Sequence, residues 1–132
     1  MRRVHAYWEG LKRAENNMPF WDDLNLSVLP DLSDRLLLID VFEKPERFRF
    51  TTVGQQYLDP AGTSVIHQFA DEVLLPDRLK YLRSQASATV ESYEPTFYQH
   101  AVAHSRDAFS RLLMPMWGDG HVGKLLGVLD LH

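Results

Sequence analysis

Cysteine is absent from all 132 residues. That excludes disulfides, cysteinyl zinc sites, iron–sulfur clusters and thiol nucleophiles, and it fits a reducing compartment. Long apolar runs are missing too. The longest strongly apolar stretch is Leu36 to Ile39, far short of the ~20 residues that a spanning helix needs. No apolar segment follows Arg2-Arg3, so no signal peptide is expected there. Basic excess is also lacking. Fourteen Lys and Arg stand against eighteen Asp and Glu, a net charge of −4. No positive field draws the chain to nucleic acid or anionic lipid, and neither is expected as a partner. Internal repeats and low-complexity segments are absent. A cytoplasmic globular protein is the expectation, and 45% apolar with 24% charged residues suffices for one core.

The order of elements carries more information. Val4, Tyr7, Trp8, Leu11 and Ala14 recur at helical spacing and predict an amphipathic helix within residues 1–17. Gly10 weakens it, and Pro19 follows its end. Residues 18 to 33 are too apolar for a free loop and are expected to lie along the core with one short turn of helix, which Pro30 would stop. Arg35 to Phe42 and Arg47 to Val53 read as two strands joined by a Pro-containing turn, hence an antiparallel hairpin. Pro76 to Val90 reads as the second long helix, with Leu79, Leu82 and Ala86 on its apolar stripe. Thr96 to His104, Phe109 to Trp117 and Lys124 to Leu131 read as a three-stranded meander, with Asp119-Gly120 as a hairpin turn. The fold class is therefore α+β: a five-stranded antiparallel sheet, a helical insert on one face and an N-terminal helix.

This order resembles a PAS domain, and more narrowly the short stand-alone bacterial PAS proteins with an N-terminal amphipathic helix. The matching pieces are Tyr7-Trp8, Phe48-Arg49-Phe50 with Val53-Gly54, Asp59-Pro60-Ala61-Gly62, Leu112 to Met116 with Asp119-Gly120, and Leu125-Leu126-Gly127. The resemblance divides the chain into the helix at 1–17 and a single PAS-like domain at 18–132. It implies a non-catalytic sensory or regulatory module in signal transduction. Such a module holds a small ligand between sheet and insert, or acts only by dimerisation and docking to a separate signalling protein. Residues 76 to 90 contain no histidine, so a heme ligated from the long helix, as in heme-binding PAS domains, is not expected. A flavin–cysteinyl adduct needs a cysteine. No cofactor is identified.

Candidate pocket residues are Tyr57, Phe69, Tyr81, His100 and Met114, with Tyr98 and Met116 beside them. Pockets are mostly apolar with a few convergent polar groups. The bland alternative is a packed core without a cavity. His100 and His104 do not suggest a metal, because four residues of strand span about 13 Å, too far for two ligands of one zinc. His67 reads as a surface or capping histidine, and His5, His121 and His132 receive no role.

The insert covers only one face of the sheet. Val4, Tyr7, Trp8 and Leu11 must therefore cover the other face of this sheet or of a second copy. A homodimer through these residues is expected, and folding back on the chain's own sheet is the alternative. Arg47, Arg49 and Arg111 read as a solvated strand face, and Asp40 as pointing outward near its strand's end. A different class of function is a small cone-shaped enzyme, similar to ketosteroid isomerases, using Asp40 and His100 with Tyr57.

Overall fold

The computed structural model describes residues 1–13, 16–59, 61–101 and 108–131. Helix α1 spans Arg2–Gly10. Strands β1 (Leu36–Phe42) and β2 (Arg47–Val53) form the first hairpin. Helix α2 covers Leu82–Ser92, followed by β3 (Thr96–His100), β4 (Phe109–Gly118) and β5 (His121–Leu131). All pairings are antiparallel, and the five strands lie in the order β2-β1-β5-β4-β3. This is the expected α+β class. No helix among the described residues is long and apolar enough to cross a membrane.

Strand parity divides the core. Leu37, Ile39, Phe48, Phe50, Leu113 and Leu125 face the insert and meet Leu79, Leu82 and Ala86. On the opposite face Leu36, Met114, Met116, Leu126 and Val128 meet Val4, Trp8 and Leu29. The β4–β5 turn has Asp119 at φ 55° and Gly120 at φ 82°, the positive pair that a two-residue hairpin turn requires.

Three elements differ from their sequence expectation. Helix α1 stops at Gly10 rather than reaching Asn17; glycine loses more backbone entropy in a helix than any other residue. Residues 18–35 hold three short 3₁₀ turns, at Trp21–Asp23, Leu26–Val28 and Pro30–Arg35. The second helix begins at Leu82, not Pro76, and residues Asp77–Leu79 form a separate 3₁₀ turn. Tyr81 takes φ 61°, which breaks a right-handed helix. The carbonyls of Arg78 and Lys80, free for a helix ladder, are instead bonded by a side chain from β4. The expected strand through His104 is observed as far as His100; His104, Ala14, Pro60 and His132 lie outside the described residues.

Candidate functional site

The side chain from β4 is Arg111. Its neighbours at the same parity, Phe109 and Leu113, belong to the insert-facing core, and Arg111 is 0% exposed. It is not part of a solvated strand face, as the sequence reading has it. Parity was the available signal: an arginine two residues from Phe109 and two from Leu113 shares their side.

The guanidinium is held entirely by neutral groups. Nε donates to Gln85 Oε1 at 2.7 Å, Nη1 to the Arg78 carbonyl at 2.8 Å and Nη2 to the Lys80 carbonyl at 3.0 Å. The Gln85 amide then donates to the carbonyls of Thr96 at 3.1 Å and Arg111 at 3.0 Å. Thr89 Oγ1 completes the layer, 2.8 Å from the Gln85 carbonyl and 2.6 Å from Thr96 Oγ1. One arginine and one glutamine thus tie the insert to β3 and β4. Burial pulls the Arg111 pKa down to about 10, with Tyr57 and Tyr98 acting in the opposite sense. No carboxylate among the described residues acts on it.

Three of the five pocket candidates lie on this side of the sheet. Tyr57 is fully buried, and its hydroxyl donates to the Arg35 carbonyl at 2.9 Å. Burial pushes its pKa far above the ordinary phenol value. The Tyr98 ring packs 5.0 Å from Arg111 Cζ, and the Tyr81 ring lies 6.0 Å from that of Tyr98. His100 stacks on Phe109 with centroids 5.4 Å apart. The other two are elsewhere. Met114 belongs to the opposite core, beneath α1. Phe69 bridges Arg49, lies 3.7 Å from Arg47 Cζ and 5.4 Å from the Phe42 ring, and so sits on the Arg47–Arg49 side. The space between sheet and insert is filled by the chain itself, with Tyr57, Leu79, Leu82, Leu113 and Arg111 all at 0% exposure. An open groove of about 380 Å³ is lined by Asp71, Val73, Leu75, Lys80, Tyr81 and Arg83 among others.

Asp40 and His100 are not brought together. Asp40 accepts from Arg49 Nη2 at 2.8 Å and from Lys124 Nζ, on the face away from the insert. His100 is on β3, with β5 and β4 between the two strands, and faces the insert side with its pairing partner Phe109. Burial raises the Asp40 pKa, but the hydrogen bonds from Lys124 and Arg49 more than offset this, and the carboxyl sits below its ordinary value. The described residues include no cluster of three or more His, Asp or Glu suited to a metal.

The expected interface residues are placed within the chain. Val4 and Trp8 are 0% and 1% exposed, covered by the chain's own sheet. Trp8 Nε1 donates to the Pro115 carbonyl at 2.9 Å. Tyr7 is half-buried, its hydroxyl accepting from Asn25 N at 2.8 Å and donating to Asn25 O at 3.0 Å. Leu11 is half-buried beside them. The helix therefore folds back, because Leu36, Met114 and Leu126 offer an apolar face for Val4 and Trp8 to cover. Scans against protein-family models, curated proteins and solved structures each gave no match.

Proposed function

We propose that the chain is a non-catalytic regulatory module of the PAS type. The wiring of hairpin, helical insert and meander supports this reading, and one observation carries it. The turn at 77–81 is held to the sheet by Arg111 through the Arg78 and Lys80 carbonyls, polar contacts that hold one position of the insert and that water can replace in an opened one. The insert is then a two-position element. A shift in its population changes the surface offered to a separate signalling protein.

A homodimer stays part of the proposal, with its contact moved. Val4 and Trp8 are internal, so a second copy would meet the part of the outer face that α1 leaves open. There Phe42 is 37% exposed, beside Arg47, Arg49 and Phe69.

Hydrogen exchange of the full chain tests the two-position element. The reading expects amides of residues 82–92 to exchange through an opening that leaves β4 and β5 protected. Exchange of insert and sheet at one common rate would sink it. A native mass spectrum reports the dimer separately.

A further inference from the structure

An open sheet has two edges, and here they are β2 and β3. An unpaired edge strand presents a row of backbone donors and acceptors, which proteins cover or guard with charge, proline or a bulge. The two edges are treated differently. Residues 67–70 close β2: Phe50 N donates to Gln68 O at 3.0 Å, His67 N to Phe50 O at 2.7 Å and Ala70 N to Phe48 O at 2.8 Å. That strand also carries Arg47 and Arg49. β3 has β4 on one side and, among the described residues, no backbone partner on the other. The Gln85 side chain on Thr96 O is the one further bond to its backbone among the described residues.

Nothing in β3 guards that edge. Thr96-Phe97-Tyr98-Gln99-His100 holds no Asp, Glu, Lys, Arg, Pro or Gly, and its register with β4 runs without a bulge. Aromatic side chains flank it on both faces of the sheet. On the insert side Tyr81 is 66% exposed and packs against Tyr98. On the opposite face Phe97 is 56% exposed.

The closed edge narrows what can cover the open one. Pairing β3 of one copy with β2 of the next would build an open filament, and residues 67–70 already occupy β2. Edge contact between copies therefore sets β3 against β3, which closes at two. A two-fold axis normal to the sheet makes that pairing antiparallel and keeps each face continuous. Centred on Tyr98, it uses all five residues. Phe97 then stands opposite Gln99 of the second copy, and Thr96 opposite its His100. No like charges meet, and aromatic and β-branched residues suit such a ladder.

We infer that β3 is a self-association edge, where two copies pair antiparallel about Tyr98 and join their sheets into one. This goes beyond the contact proposed at Phe42. That contact lies at the β1–β2 end of the sheet, so neither depends on the other, and neither needs a moving insert.

Sedimentation equilibrium of the full chain and two double variants tests the register. Phe97→Lys with Gln99→Lys sets lysine opposite lysine at both crossings and should weaken association by roughly tenfold or more. Phe97→Lys with Gln99→Glu sets lysine opposite glutamate and should restore most of it. Both variants change exposed positions, and urea unfolding confirms that they fold equally well. A native chain still monomeric at about 1 mM overturns the contact. Equal association of the native chain and the double-lysine variant overturns it too. Loss in both variants alike also overturns it, since only the paired register tells them apart. Association that persists in both but falls in Phe42→Asp assigns the dimer to the outer face, which sinks this inference and leaves that reading standing.

Discussion

Arg111 and Gln85 bond to each other in both directions: the arginine Nε donates to Gln85 Oε1 at 2.7 Å, and the glutamine Nε2 donates to the Arg111 carbonyl at 3.0 Å. The glutamine is 8% exposed and the arginine 0%, so the exchange is shielded from water. It joins α2 to β4 by atoms rather than by shape alone.

Replacing Gln85 by Leu conserves bulk but leaves Arg111 Nε and the carbonyls of Thr96 and Arg111 without this partner. Unsatisfied buried groups cost about 1–3 kcal/mol each, more when charged. Gln85→Leu should therefore lower stability by roughly 3 kcal/mol or more, read from urea unfolding. A loss below about 0.5 kcal/mol, the usual range of surface substitutions, would show that the guanidinium finds other acceptors readily.

Trp8 argues a second prediction. It is 1% exposed under the chain's own sheet and bonded to Pro115 O, so it acts as an internal strap. Trp8→Ala should cost about 3–5 kcal/mol, with the solution mass of the folded protein unchanged at equal concentration. A folded variant whose mass halves would return Trp8 to an interface between copies.

How far the sequence reached follows from where periodicity is strong. The hairpin and the meander carry alternation and turn residues such as Asp119-Gly120, and their strands are where those signals place them. The site was less legible. Tyr57, Tyr81 and His100 share the insert side, but Met114 faces the other way, because Leu113 and Met114 alternate. Arg111 was missed because charge outweighed parity: a lone arginine in a strand reads as solvated until its acceptors, the carbonyls of Arg78 and Lys80, are known. Those carbonyls also explain why the helix starts at Leu82. The tertiary bond overrides the local helical pattern from Pro76 onward, and no local signal announces it.

Asp40 supplies a pH prediction. Its folded pKa is depressed by Lys124 and Arg49 against the opposing effect of burial. A depressed carboxyl stabilises the fold above its unfolded pKa of about 3.9, and that contribution is lost as pH falls through the folded pKa. Asp40→Asn should lower stability at pH 7 and flatten the fall in stability below about pH 4. Urea unfolding between neutral and acidic pH checks this. Parallel profiles for both proteins would mean that the ion pairs with Lys124 and Arg49 contribute nothing.

Gly118 gives a prediction of a different kind, because it concerns a side chain that is absent. A Cβ at Gly118 would stand 1.7 Å from Trp21 Nε1 and 1.9 Å from Trp21 Cδ1, far inside contact distance. The Nε1–Cδ1 edge of the Trp21 indole therefore occupies the space that a side chain at position 118 would take, which anchors the 3₁₀ turn Trp21–Asp23 to the end of β4. Gly118→Ala must expel the indole, and overpacking of this kind costs about 1–3 kcal/mol. In Trp21→Ala the alanine methyl at 118 meets no ring. The Gly118→Ala change should then cost far less in the Trp21→Ala background than in the native one, a coupling of about 1 kcal/mol or more. Four unfolding curves in urea close this cycle, and additive losses would mean that the indole does not rest on Gly118.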